Sequence, residues 1–531
     1  MTLAPAALEP SRRARYSEGA GIYRIIPAAV ARPTSLLELR IAVDAARDAN
    51  WAVTPRGAGS AMDGSSVGEG LILDLTAFDA ARCDISAVDR SARLSPAIAL
   101  GALQRAAAHE GLRFPPDPSS AAWATMGGLV STNASGARSV RFGSVRSWVT
   151  ALTLETTDGP LSLARGLPPD LSHPAMVRWY TGVAPLIAQY ADVIRGAYPA
   201  VRKNSAGYAL DQMLQSGDIL DIVIGSEGTL GVITDITVRL DPVPAHRASL
   251  RVALGTRQAL VPAMEQLRQF GPSTLELLDA SFLRLIEGSW SGHEALPKTA
   301  AGLLLADLES DDPDELRRRI EAAAAAVAPY AVDVQTARDP GAIEALWKVR
   351  HRASPILASL RDGRRSMQVI EDGCVPPERL GEYLDAIDEA TARQGIDAVM
   401  FGHAGDGHLH VNLLPNVEQP GWLDAVRAIF HEVTATVIRL GGTTSGEHGA
   451  GRLRAGTLEG LYGPRVLEVF AAIKNAFDPE GRWNPGVITG QGGDPLARLK
   501  FGAAAVPLPA EIVERLRRIE RDAAWAESRW D

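Results

Sequence analysis

The chain has 531 residues, 46% of them apolar and 22% charged, with a formal net charge of −9. That is the profile of a globular protein too long for one ordinary hydrophobic core. The charge excludes a broad basic field for nucleic acid or an anionic membrane, and no run nears the ~18 consecutive apolar residues of a membrane span. The first twenty residues lack the continuous apolar stretch of a signal peptide. Cys83 and Cys374 are the only cysteines, which suits a reducing cytoplasm and excludes an iron–sulfur cluster held by four thiolates of this chain.

Residues 1–27 read as an N-terminal arm without strong periodicity. Ser35 and Glu38 form a capping-box pattern that opens a helix with Leu36, Leu39, Val43 and Ala46 on one side. Strands are predicted at 51–55 and 71–75, joined by a Gly- and Ser-rich loop, and a second glycine-rich stretch covers 115–143. Two further strands are predicted at 219–224 and 232–240, around a turn at 225–231. Asp241-Pro242-Val243-Pro244 breaks regular structure and separates a first domain, 28–242, from a second, 243–455. In the second, strand-like segments (249–253, 275–278, 302–306, 331–336) alternate with helical ones such as 314–327, which is an α+β texture with helices over a sheet. Helices are predicted over 380–393, 422–440 and 466–477, the last within a C-terminal segment, 456–490. A tail, 491–531, follows. Its 509–524 stretch places Ile512, Leu516 and Ile519 at helical spacing, as a helix docked on the body would.

Pro55-Arg56-Gly57-Ala58-Gly59-Ser60, with Gly64 beyond it, directly follows a predicted strand. Glycines there let backbone N–H groups approach an anion closely, as in a nest for a pyrophosphate. The spacing is not that of the Rossmann fingerprint, and taken alone the loop reads equally well as a tight surface turn. Pro118-Ser119, Met126-Gly127-Gly128, Asn133-Ala134-Ser135-Gly136 and Arg141-Phe142-Gly143 follow. Then come Gly225-Ser226-Glu227-Gly228-Thr229-Leu230-Gly231-Val232-Ile233, Phe477-Asp478-Pro479 and Asn484-Pro485-Gly486. In that order the set resembles the FAD-binding domain of the vanillyl-alcohol oxidase / p-cresol methylhydroxylase superfamily, over residues 28–490. The resemblance implies a two-subdomain FAD-binding domain of the p-cresol methylhydroxylase type. It also implies an α+β substrate cap with an antiparallel sheet, and a C-terminal segment that returns to the FAD domain. FAD would be lined by Pro55, Arg56, Gly57, Ala58, Gly59, Ser60, Gly64, Pro118, Ser119, Met126, Gly127, Gly128, Asn133, Ser135, Gly136, Gly228, Gly231, Val232 and Ile233. Asn484 would complete the site. Some members attach FAD to a histidine where this chain has Ser60, so the resemblance implies noncovalent FAD.

Three histidines, His403, His408 and His410, fall within eight positions and are separated by glycines. If 408–413 is a strand, His408, His410 and Asn412 share one face while Leu409, Val411 and Leu413 point into a core. The glycine turn can bring His403 beside His410. Two neutral imidazoles and a carboxylate make a divalent-metal site with positions open for substrate. Glu447, in Ser445-Gly446-Glu447-His448-Gly449, is the candidate carboxylate, and zinc or manganese the candidate ion. These two segments resemble the C-terminal domain of the FAD-linked D-lactate, glycolate and D-2-hydroxyglutarate dehydrogenases. The resemblance implies metal ligation by His403, His410 and Glu447, general-base work for His448, and a place near the substrate for Asn412. It implies that Arg350, in Trp347-Lys348-Val349-Arg350, binds the substrate carboxylate. His408 stands where the group commonly has Asn. Lys203-Asn204-Ser205-Ala206-Gly207-Tyr208 resembles a segment near the flavin, and Glu371-Asp372 precede Val375-Pro376 as in the group. Ile370 occupies the position where users of dicarboxylic acids look to carry an extra cation, so a monocarboxylic substrate is expected, with Arg364 and Arg365 the nearby alternatives.

These readings combine into an FAD-dependent dehydrogenase of a small D-2-hydroxy acid. D-lactate is expected first, with D-2-hydroxyglutarate or glycolate as alternatives, and hydride passes to flavin N5. The expected acceptor is external: a quinone, a cytochrome, an electron-transfer flavoprotein or a separate iron–sulfur subunit. A zinc-type hydrolase with purely structural glycine loops is a second hypothesis, which a flavin spectrum would separate. A noncatalytic FAD-binding subunit is a third, and it predicts missing ligands where all three candidates are present. A cytoplasmic location, or a peripheral one at the inner membrane, is expected, with no nucleic-acid partner and with homodimerisation open.

Overall fold

A computed structural model describes residues 5–80, 82–287, 299–351, 356–357, 360, 363–490 and 493–531. Ala29–Ala31 and Val53–Arg56 flank Leu71–Asp74 in a small parallel sheet. Helix Leu36–Asp48 packs Leu39, Ala42 and Ala46 against it. Its cap differs from the expected box by one residue. Ser35 Oγ accepts from the Glu38 N–H at 3.3 Å, but the Glu38 carboxylate accepts from the N–H and hydroxyl of Thr34. The second sheet is antiparallel, in the order Cys83–Ser86, Ser91–Leu94, Val232–Arg239, Val149–Thr156, Gly159–Ala164. Helix Pro464–Phe477 closes its core with Val466, Val469, Phe470 and Ile473.

Residues 219–224, predicted as a strand, instead form a helical turn, Leu220–Val223. A short apolar run has no period that separates a buried strand from a buried helix. Tertiary contacts decide between them. Asp221, buried within the turn, accepts from Arg165 at 2.8 and 3.1 Å and from Arg146 at 3.3 Å, and Gly225 ends the turn at φ +88.

The cap is a six-stranded antiparallel sheet ordered Ala331–Ala337, His246–Leu254, Gly302–Ser310, Thr274–Asp279, Ala398–Gly402, His410–Leu413. Helices Leu260–Arg268, Pro313–Val327, Leu380–Gln394 and Trp422–Arg439 cover one face, sharing a core with Leu250, Val252, Leu304, Val411 and Leu413. Strand alternation then sends Glu276, between Leu275 and Leu277, to the opposite face.

The C-terminal segment returns to the first half: the Asn484 N–H donates to the Val53 carbonyl at 2.8 Å, and Trp483 is buried with Val53 and Val232. The arm, read without periodicity, contains a short helix, Pro10–Arg15. Its Ala14 packs on Ile512 and Leu516 of the tail helix Ala510–Arg521. Residues 491–492, where the tail begins, lie outside the described residues. Among the described residues no helix is long and apolar enough to cross a membrane.

Candidate active site

A cavity of about 1230 Å³ runs between the two halves, floored by the glycine loops and roofed by the open face of the cap sheet. Pro55, Arg56, Gly57, Ala58, Gly59, Ser60, Pro118, Ser119, Gly127, Gly128, Ser135, Gly136, Gly228, Gly231 and Ile233 all line it. Within the described residues, none of the backbone N–H groups of residues 57–64 has an acceptor. A Cβ on Gly57 would lie 2.2 Å from Thr125 Oγ1, and one on Gly59, at φ +74, 2.3 Å from the Arg56 guanidinium. The floor therefore presents bare donors that only this glycine spacing allows. That donor set fits the diphosphate of a dinucleotide, and the volume fits a large cofactor.

Other residues named for the flavin stand behind the lining. Gly64 turns at φ +83 over the Tyr23 ring, and Met126 and Val232 are core residues. Asn133 ends helix Met126–Thr132 in the left-handed region, and its Oδ1 accepts from the Arg146 N–H at 3.1 Å. Asn484 is buried as a tie, its Nδ2 donating to the carbonyls of Ser65 and Glu227 at 2.8 Å each. Met126, Val232, Asn133 and Asn484 brace the loops because their side chains are saturated by protein groups or packed in a core.

At the cap end, Leu409, Val411 and Leu413 are fully buried, which turns His410 toward the cavity. The tight turn Ala404–Asp406, closed by Gly407 at φ +72, brings His403 back beside it. His403 Nε2 and His410 Nε2 are 3.3 Å apart, and Glu447 Oε1 is 3.2 Å from the first and 3.4 Å from the second. Ligand atoms about 2.0–2.1 Å from a tetrahedral ion are themselves about 3.3–3.4 Å apart. The three atoms thus form one face of such a polyhedron, and the donor set fits a divalent ion. His408 stands beside the three, with a ligand atom within 4.8 Å of theirs, but its Nε2 is taken by Asp372 Oδ1 at 2.8 Å and its Nδ1 lies 3.4 Å from Lys203 Nζ. Asn412 does not reach the cavity lining, since its Oδ1 accepts from Ser366 Oγ and Gln368 Nε2. Tyr208, from the segment matched to a flavin neighbour, is also buried away from the cavity, bonded to Thr229. Ile370 packs in the core behind the sheet with Tyr383 and Phe430, so it cannot gate the size of a substrate.

Three partners of the triad carry no assignment in the sequence reading. Glu276 takes the His403 Nδ1–H on one oxygen and the Arg350 Nε–H, at 2.9 Å, on the other. Lys203, 3% exposed, donates to Glu447 Oε2 at 2.8 Å, and Ser135 Oγ donates to the same oxygen at 2.6 Å, which leaves Oε1 for the imidazoles. Asp372 accepts from the N–H groups of Gly446, at its carbonyl, and of Glu447 and His448, at its carboxylate, and so shapes the Glu447–His448 turn. An acid between leucines in a strand signals Glu276, and the Lys of the 203–208 segment signals Lys203. Asp372 carries no such local mark.

The electrostatics follow from these contacts. Burial acts to raise the Glu447 carboxyl, but Lys203 and His403 outweigh it and hold it well below the usual range. Burial, with His408 and His403 beside it, keeps the His410 ring well below its ordinary value, and therefore neutral. Burial also opposes charge on His448, yet Asp372 and Glu371 prevail and push it up to about 10. Nδ1 of that ring lies 3.1 Å from Glu371 Oε2, while Nε2 is 3.8 Å from Glu447 Oε1. Against burial, His403 and Arg350 hold Glu276 at about 2.

Comparison with known proteins agrees with this architecture. Residues 27–162 match an FAD binding domain, and residues 243–488 match the C-terminal domain of FAD linked oxidases. The chain is 30% identical over 464 residues to the D-lactate dehydrogenase of Archaeoglobus fulgidus, covering 86% of this chain and 90% of that one. It is 29% identical over 469 residues to glycolate oxidase subunit GlcD of Bacillus subtilis, covering 87% and 89%. The fold matches that of p-cresol methylhydroxylase with a TM-score of 0.64 at 14% identity, covering 91% of this chain and 93% of the other. The chain belongs to the FAD-linked oxidase family, as an oxidoreductase of the group that includes the D-lactate dehydrogenases and glycolate oxidase subunits.

Proposed function

We propose that this protein oxidises a small D-2-hydroxy acid, D-lactate first, to the 2-oxo acid, using noncovalent FAD and one divalent ion. The observation that carries the reading is the face formed by His403, His410 and Glu447, 3.2–3.4 Å on each edge, in the same cavity as the 57–64 donors. The D-lactate and glycolate enzymes, which the chain matches at 29–30% identity over 89–90% of their length, favour a monocarboxylic acid over D-2-hydroxyglutarate, whose dehydrogenases it matches at 26% over 49% of theirs. Residues 57–64 with Pro118, Ser119 and the 127–136 segment would hold FAD, and His403, His410 and Glu447 the ion. Bound there, FAD supplies the hydride acceptor and the ion supplies the Lewis acid that eases loss of the hydroxyl proton.

The chain's own residues supply the rest. Arg350 spends its Nε–H on Glu276, and its two terminal nitrogens take no partner among the described residues. That fork, lining the cavity, suits the substrate carboxylate and fixes which face of the α-carbon is presented. Glu276 couples the fork to His403, so that substrate position and triad geometry share one carboxylate. Glu371 and Asp372 hold Nδ1 of His448 and aim Nε2 into the site. With these acids alone the ring is a cation near neutral pH. It becomes a base when positive charge in the triad opposes their pull. Ser60 offers a hydroxyl where an attachment histidine would be needed, so the flavin is held without a covalent link.

Anaerobic bleaching of the flavin against paired D- and L-2-hydroxy acids tests this reading. Rapid bleaching by D-lactate and none by L-lactate is expected. Failure of every D-2-hydroxy acid to reduce the flavin would overturn it.

A further inference from the structure

The first 26 residues and residues beyond 488 lie outside both matched family segments, yet residues 16–21 and Arg529 of these stretches meet beneath the loop at 56–66. The Ala20 N–H donates to the Gly59 carbonyl at 3.0 Å, and a Cβ on Gly21 would lie 2.3 Å from the Met62 carbonyl oxygen. Arg56, 2% exposed, donates to three main-chain carbonyls: Tyr16 at 3.2 Å, Glu18 at 2.8 Å and Ser66 at 3.1 Å. Arg529, from the end of the tail and 6% exposed, donates to the same Glu18 carbonyl at 2.6 Å and to Arg15 at 3.4 Å. Two buried guanidiniums thus converge on one neutral oxygen.

Among the described residues neither has a carboxylate at ion-pair distance. The nearby acids are engaged elsewhere: Glu18 holds Arg24 at 2.6 Å, while Asp74 takes the Tyr16 hydroxyl and Thr76. Buried like charges without a counter-charge are costly, and Arg56 borders the cavity beside the unpartnered N–H groups of the loop. The tail is anchored there, with Arg12 stacked 4.1 Å from the Trp530 ring centroid and its Nε donating to the Trp530 carbonyl.

We infer that Arg529 is a positioning residue for the phosphates of FAD: with Arg56 it sets positive charge behind the loop and locks the arm that shapes the loop. The inference rests on reading 57–64 as the diphosphate seat. It makes tail docking and FAD binding mutually supporting, as reciprocal coupling requires.

Flavin-stripped full-length protein, titrated with FAD by fluorescence and followed by thermal unfolding, tests it. Arg529→Gln, which removes one buried positive charge behind the loop, is expected to raise the FAD Kd about tenfold. The same variant should shrink the rise in Tm that FAD produces. Arg529→Lys, which keeps the charge, should recover affinity to within about threefold of the parent. Gly59→Ala, which places a Cβ against Arg56, serves as the loop control and should lose FAD. If Gly59→Ala weakens FAD but Arg529→Gln does not, the role of Arg529 is overturned while the seat stands. If both bind as the parent does, the seat itself is wrong. If Lys fails as fully as Gln, charge is not the cause, and the inference fails.

Discussion

At the floor of the cavity residues 57–64 offer backbone N–H groups with no acceptor within the described residues, whereas at the cap end almost every polar atom of His403, Glu447, Glu276 and Asp372 is already engaged. The first region offers main-chain groups, and its side chains matter mainly by their absence, at Gly57 and Gly59. The second offers side chains, each fixed by another buried side chain. A main-chain seat follows from local sequence and tolerates most side-chain changes outside its glycines. A side-chain site is a network, in which losing one member leaves another buried and unpaired. Changes at the cap end should therefore abolish turnover while leaving the flavin in place.

The largest expected effect is at the triad. His410→Ala or Glu447→Ala should lower kcat by about a thousandfold or more, the loss of several kcal/mol of charge stabilisation, with the flavin spectrum retained. A variant that keeps full turnover after metal stripping would break the division between the two ends. Next is Glu276→Gln, which removes the charge shared by His403 and Arg350 without changing shape. Activity should fall about 10- to 100-fold, as for other partners of metal-binding histidines, and both ion affinity and substrate KM should suffer. A change in only one would show that the two are not coupled through this residue.

A smaller effect concerns pH. His448 is raised to about 10 in the folded chain, against about 6.5 when unfolded. The folded state therefore holds its proton more tightly. The stability it contributes is fully present below about pH 6.5 and is lost as pH rises toward about 10. The Tm of metal-stripped protein should fall across that window, and the fall should flatten in His448→Gln. An unchanged slope would remove His448 as the source of the pH dependence. The smallest expected effect is at the floor, where denaturation should release all of the yellow cofactor into the supernatant. Flavin left on the precipitate would mean that a residue other than Ser60 provides a covalent link.

Much of both regions was legible in the sequence because its signals are local. The glycines after a strand, together with the order of the later motifs, point to the loop that lines the cavity, and the alternation His410-Val411-Asn412-Leu413 puts one histidine toward the cavity and the leucine toward the core. Misreadings arose where a residue's role depends on what lies across the fold. Ile219–Ile224 is helical because Asp221 finds Arg146 and Arg165. Ile370 faces the helices on the covered side of the cap sheet, so its distance along the chain from Asp372 said nothing about the cavity. The places of Asn484, which ties Ser65 to Glu227 from behind, and of Asn412, bonded to Ser366 and Gln368, likewise depend on contacts across the fold.

By itself the sequence determined the α+β texture and the order of the glycine loops, since periodicity and spacing are properties of neighbouring residues, whereas the choice of His403, His410 and Glu447 among the candidate ligands rested on the family resemblance. The tertiary structure alone decided the second layer. Glu276 lies 127 positions from His403, Lys203 lies 244 from Glu447, and Arg529 lies 511 from Glu18. Contacts at such separations leave no period in the chain. They exist because sheet packing and the return of both termini bring the groups together, and burial then makes each pairing matter.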